Sequence, residues 1–143
     1  MENLLISSCF LGNNVKYNGS NNKLDYIDKL KEKYNLIPIC PEVLAGLEIP
    51  RDPSEIRNDK VISSKGYDVT NNFNLGALLA LDIAIKNNCK KALLKESSPS
   101  CGVNTIYDGT FRKNKINGLG ITSRLLKENG ILLYSENDIE KLF

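Results

Sequence analysis

Four short apolar runs, Leu4–Ile6, Leu36–Ile39, Ala92–Leu94 and Ile131–Leu133, alternate with stretches whose apolar residues recur at helical spacing. No other feature limits the fold as much. Runs of three or four apolar residues have the length of strands buried on both faces and are too short for core helices. Between the first two runs, Leu24, Ile27, Leu30 and Tyr34 lie on one helical stripe with Lys and Asp opposite. Before the third, Val69, Phe73, Ala77, Ala80, Leu81 and Ala84 outline a long helix that starts near Asp68 or Thr70. Ile121, Leu125 and Leu126 mark a helix stopping near Gly130, and Ser135 with Asp138 can cap a last short one. This order predicts an α/β fold: three layers, Rossmann-like, with a mostly parallel four-stranded sheet between helices. The segment PEVLAGLEIPRDPSEI interrupts it as a Pro/Gly-rich insert. Pro41 can open a short helical turn there, while Pro50 and Pro53 forbid a long helix. Val61-Ile62 and Tyr67, on either side of Ser63–Gly66, predict a small hairpin. With 143 residues, 41% of them apolar, residues 1–143 are expected to form one domain with a core that needs no disulfides.

Parallel strands place all their carboxyl ends at one edge, where ligands bind in such sheets. Cys9, Cys40 and Cys101 each fall at or just after the end of a different strand, so three thiols distant in sequence are expected to converge. Cys89 ends a helix before the third strand and belongs at the opposite edge, as an inert packing residue. Cys9 and Cys101 stand among Ser, Gly and Asn, which suits thiols that meet a partner rather than a core.

The absence of histidine removes the Ser-His-Asp triad, the Cys-His pair and any His-ligated zinc. There is no Walker pattern, and Gly118-Leu119-Gly120 fits a helix start better than a dinucleotide fingerprint. No arginine stands six residues after Cys101, where Tyr107 is found, as a phosphatase loop would need. No Cys-x-x-Cys spacing points to a redox dithiol. Three thiolates leave a structural zinc one ligand short unless Cys89 or Glu42 joins. They could instead hold three irons of a 4Fe-4S cube and leave the fourth open as a Lewis acid for a soft atom such as sulfur. Glu42, Ser98 and Ser100 would then supply a base and hydrogen bonds. At neutral pH the formal charge is +2, spread along the chain, which argues against a nucleic-acid binder and for a small-molecule substrate. No run approaches a membrane span, and Met1–Phe10 lacks a basic n-region, so the expected location is the cytoplasm.

The segments SSCFLGNNVKYNG, PICPEVLAGLEIPRDPSEI, GYDVTNNFNLGALLAL, LLKESSPSCGVNTIYDGTF and GLGITSRLLKENGILLYSE together resemble the thiouracil desulfidase family, long catalogued as a domain of unknown function. The resemblance implies an oxygen-sensitive 4Fe-4S cluster on three cysteines, mapping to Cys9, Cys40 and Cys101, with one open iron. It also implies removal of the thiocarbonyl sulfur of 2-thiouracil or a related thio-compound, giving uracil and sulfide without net redox. Glu42 and Ser100 match the positions expected to assist, and Ser98 and Lys16 are candidate substrate contacts. VKYNG replaces the commoner Arg-Tyr-Asp-Gly, so Lys16 and Asn18 stand where a guanidinium and a carboxylate are usual. The family also includes longer proteins associated with thiolated transfer RNA. Two rivals remain: a non-catalytic metal or sulfur-carrier module on the same cysteines, and an enzyme acting on thiolated tRNA. For Glu42 the plainer role is a helix-start charge, and for the serines it is turn-making.

Overall fold

The computed structural model describes residues 1–143. β1 (Glu2–Ser7), β2 (Tyr34–Ile39), β5 (Lys91–Leu94) and β8 (Leu132–Ser135) form one sheet in the order β2-β1-β5-β8. All three pairings are parallel, with Leu4 opposite Leu36, Leu5 opposite Ala92 and Leu94 opposite Ser135. Alternation along β1 feeds two cores. Leu5 joins Ala80, Ala84, Ala92, Leu94 and Leu126 on one face. Leu4 and Ile6 join Phe10, Ile27, Leu30, Tyr34 and Leu142 on the other. Helices α3 (Thr70–Lys86) and α4 (Ile121–Glu128) therefore cover the first face, while α1 (Ile27–Lys33) and a 3-10 helix over Glu136–Leu142 cover the second. This is the three-layer α/β arrangement expected.

The helix before β2 is shorter than its apolar stripe. Leu24 lies outside α1 in a non-helical approach, and Tyr34 already begins β2, its hydroxyl donating to Leu142 O at 2.6 Å. Ser135 and Asp138 form the expected capping box at the last helix. The small hairpin is displaced. Val61-Ile62 pairs not with Tyr67 but with the preceding segment, as β3 (Ser54–Arg57) against β4 (Lys60–Ser63). Its turn is Asn58-Asp59, both at positive φ, the conformation of a two-residue hairpin loop. Ser63–Tyr67 is a tight turn beyond it, after which the chain returns beside β4 through Ser63 N to Tyr67 O, Val69 N to Val61 O and an antiparallel bridge between Ile62 and Asp68. A second hairpin, β6 (Thr105–Tyr107) with β7 (Lys115–Asn117), has strands too short to leave a periodic signal.

The strand order places the site. From β1 the chain goes to one neighbour, β2, through α1 on one face, and reaches the other neighbour, β5, through α3 on the opposite face. Helices leaving to opposite faces open a crevice beyond the carboxyl ends of β1 and β5.

Candidate active site at the carboxyl edge of the sheet

Each candidate ligand is delivered by a different strand end. β1 runs into a 3-10 turn, Ser8–Leu11, that carries Cys9. β2 ends at Cys40, the N-cap of the short helix α2 (Pro41–Leu44), so Glu42 falls in its first turn. β5 enters the loop Lys95–Asn104, which carries Ser98, Ser100 and Cys101. All of these residues, together with Lys16, line one cavity of about 650 Å³. Cys89 is not among its lining residues; it sits buried just before β5, at the other edge. Asn18 also lies outside the cavity lining and is exposed, its Oδ1 accepting from the backbone N–H and hydroxyl of Ser20 in a local turn.

Close backbone approaches fix these turns. A Cβ on Gly76 of α3 would stand 2.2 Å from Pro41 O, so only glycine lets α3 press against the link between Cys40 and Glu42. A Cβ on Gly120 would likewise stand 2.5 Å from the Ser100 carbonyl carbon. The first turn of α4 is bonded to the same loop: Thr122 N donates to Ser100 O and Ser123 Oγ to Cys101 O, both at 2.9 Å. Thr122 and Ser123 thus share the buried face of α4 with Leu126, as expected for that leucine, while Ile121 and Leu125 of the expected stripe are only half-buried.

Glu96 closes the loop from inside. One of its oxygens accepts from the N–H groups of Asn104, Val103 and Thr105 at 2.8–3.0 Å, and the other from Asn104 Nδ2 at 2.9 Å. Burial pushes its carboxyl up, but these hydrogen bonds outweigh burial and lower it to about 2, against an ordinary value of 4.5. A depressed carboxyl contributes stability above its unfolded value that is lost as the pH falls through its folded one. Metal-free protein should therefore lose this contribution between about pH 4.5 and 2. At pH 7, Glu96→Gln should cost about 1.5–3 kcal/mol in urea unfolding, the worth of hydrogen bonds to a charged group. The variant should show a smaller stability loss than the parent over that acid window.

The thiol environments divide the four cysteines. Burial raises Cys9, and the hydrogen bond from Asn22 Nδ2, at 3.4 Å, opposes it. Burial also raises Cys40, against the backbone N–H groups of Val43 and Glu42. Cys101 is driven highest, to about 12, by burial, with the hydroxyls of Ser100 and Ser7 acting the other way. Each of the three thus has donors suited to a thiolate, as metal-bound sulfur requires. Cys89 differs in that burial raises it with no opposing donor; its sulfur, like that of Cys40 toward Val15 O, is itself only a weak donor, to Asn87 O. The thiols line a shared cavity without closing on one point, and no three His, Cys, Asp or Glu side chains gather as a single-ion site needs.

Beside them runs a polar chain. Ser100 Oγ donates to Glu42 Oε1 at 2.7 Å and lies 3.1 Å from Ser98 Oγ. Ser98 Oγ in turn accepts from the N–H groups of Ser100 and Cys101. Glu42 Oε2 is held by Arg51, through Nη2 at 2.8 Å and Nε at 3.1 Å.

The sequence pattern of the 2-thiouracil desulfurase family matches residues 4–138. The chain belongs to that family. Membership makes it a C–S bond-cleaving enzyme by class. Within the same likeness, the protein YbbK of Bacillus subtilis (strain 168), described as uncharacterized, is 38% identical over 149 residues, covering 97% of this chain and 99% of YbbK. A solved structure described as the 4Fe-4S-dependent thiouracil desulfidase TudS superposes with a TM-score of 0.95 at 38% identity, covering 99% of this chain and 95% of that one. No helix is long and apolar enough to cross a membrane.

Motif and spacing in the sequence assign no role to Arg51, Glu96 or Asn22. A signal existed for Arg51, one of only four arginines among nineteen Lys and Arg residues, in an insert whose prolines already imply a fixed shape. Glu96 and Asn22 act through contacts that no local pattern encodes.

Proposed function

We propose that Cys9, Cys40 and Cys101 hold a 4Fe-4S cluster at the carboxyl edge of the sheet, and that the enzyme hydrolyses the thiocarbonyl of 2-thiouracil or a related small thio-compound. Uracil and sulfide are the products. The observation that carries this reading is the placement of three donor-surrounded thiols, from three strand ends, around one cavity with Glu42 and Ser100. The donor set fits the group: thiolates suit iron-sulfur clusters, and a cube presents its irons at separate corners, unlike a single ion. Held by these three thiolates, such a cluster would keep one iron without a protein ligand and would supply Lewis acidity toward the substrate sulfur.

The chain's own residues supply the proton handling. In outcome, a C=S bond and water become a C=O bond and hydrogen sulfide, with no electrons gained or lost. The water must shed a proton as it bonds to carbon. Both Glu42 oxygens already accept hydrogen bonds, and Oε1 takes its bond from Ser100, so Ser100 Oγ is the group placed to pass that proton inward. Lys16 and Ser98, which also line the cavity, contact the substrate.

Reconstitution under strict anaerobiosis should give about four iron and four sulfide per chain, with broad visible absorption that bleaches in air. The same preparation should release sulfide from 2-thiouracil. Tight stoichiometric zinc with no sulfide release after iron loading would overturn the reading. Turnover on base, nucleoside and transfer RNA separates a small-molecule enzyme from one acting on thiolated RNA.

A further inference from the structure

Arg51 stands in the insert and lines the cavity of the three cysteines, sharing the Val15 carbonyl with Cys40, and its side chain is only 10% exposed. Three of its nitrogens are committed. Nε and Nη2 both donate to Glu42 Oε2, Nη2 also donates to Val15 O at 2.8 Å, and Nη1 donates to Glu48 O at 3.2 Å. Its backbone N–H donates to Tyr17 O at 2.7 Å. One residue therefore joins the Val15–Tyr17 segment, the α2 turn and the insert. The two contacts to Glu42 fall on the same oxygen, which leaves Oε1 alone to accept from the Ser100 hydroxyl.

Resting on the reading of Glu42 and Ser100 given above, we infer that Arg51 is a positioning residue that dedicates Glu42 to Ser100. It occupies Oε2 and anchors the carboxylate to the backbone at Val15, so the carboxylate cannot rotate away from the serine. Lysine cannot replace it, because a single ammonium has no planar set of nitrogens to reach Glu42, Val15 and Glu48 together. Glutamine keeps a polar group of moderate size but loses the charge and most of the donors.

The test compares Arg51→Gln, Arg51→Lys, Glu42→Gln and the double variant Arg51→Gln/Glu42→Gln with the parent. Iron per chain, kcat and KM on 2-thiouracil are read from anaerobic samples, and melting temperature from the metal-free proteins. Arg51→Gln should keep the parent's iron and lose about 10- to 100-fold in kcat, the scale on which a misplaced group acts. Its KM should stay within about threefold of the parent, since uniform binding is untouched. In the Glu42→Gln background the same replacement should cost nothing further in kcat, because the group it positions is gone. Arg51→Lys should recover melting temperature more than kcat. In metal-free protein, Arg51→Gln should lower the melting temperature more when Glu42 is present than when it is glutamine. Multiplicative losses in kcat, an unchanged kcat, or a rise in KM alone would each overturn the inference. If the parent neither holds iron nor releases sulfide, the proposed function fails instead, and the melting-temperature comparison still decides whether Arg51 acts on Glu42.

Discussion

Cys9→Ala, Cys40→Ala and Cys101→Ala should each lose cluster and turnover together, to background, whereas Cys89→Ala should keep both. The contrast follows from where the fold puts four chemically identical side chains. Three stand where β1, β2 and β5 end, facing one cavity, and each meets hydrogen-bond donors that oppose the effect of burial. On the proposed three-thiolate binding a cluster would have no ligand to spare, so loss of one more thiolate should release iron rather than merely weaken its hold. Cys89 has no such donors and does not line the cavity, although it lies in the core that also holds Ala80, Ala84, Ala92 and Cys101. Trimming it removes one buried group, a cost of about 1 kcal/mol that leaves the carboxyl edge intact. Iron per chain and sulfide release measured on the same anaerobic samples check all four variants. Loss of the cluster in Cys89→Ala, with retention in one of the others, would invert the assignment.

The convergence of those thiols was legible because it depends on topology alone. Once four apolar runs are read as parallel strands, the residues that follow them must share an edge, whatever the loops do. Cys9 and Cys40 needed little more, whereas Cys101, in the loop beyond β5, is also held by the contacts of that loop with Glu96 and α4. Arg51 and Glu96 needed more. Arg51 reaches Glu42 only because the insert folds back past Pro50, so that its own N–H meets Tyr17 O, and no periodicity records such a return. Glu96 reads in sequence as an ordinary loop acid, yet it satisfies three successive backbone N–H groups seven to nine residues ahead. The displaced hairpin has a similar cause. Asn58-Asp59 is a sound turn signal, but the strand before it, which carries Glu55 and Arg57, begins inside the Pro/Gly-rich insert and reads there as loop. Both are drawn to the sheet-side loop at Gly109, Glu55 accepting from its N–H and Arg57 donating to its carbonyl.

Glu42→Gln should retain the parent's iron content and visible spectrum while losing about 10² to 10⁴ in turnover, the usual worth of general-base help. Glu42 is assigned no bond to iron, so the cluster should not register the change. Glutamine keeps the shape and can still accept from Ser100 through its amide oxygen. It then presents an NH₂ group to Arg51, where two donors meet without an acceptor, and it cannot take up the proton that a carboxylate can. Ser100→Ala removes the next member of the chain, the hydroxyl 2.7 Å from Glu42 Oε1. Its effect should be smaller if water can enter the space left beside Glu42 and stand in for the hydroxyl, and as large as that of Glu42→Gln if the buried loop keeps water out. Since the same hydroxyl also donates to Cys101 Sγ at 3.5 Å, Ser100→Ala should shift the visible spectrum more than Glu42→Gln, which removes a charge but no hydrogen bond to a ligand sulfur. Turnover and spectrum read together therefore separate the two roles. A Glu42→Gln protein with a normal rate returns the residue to a helix-start charge on α2, and one that loses iron makes it a support of the cluster instead.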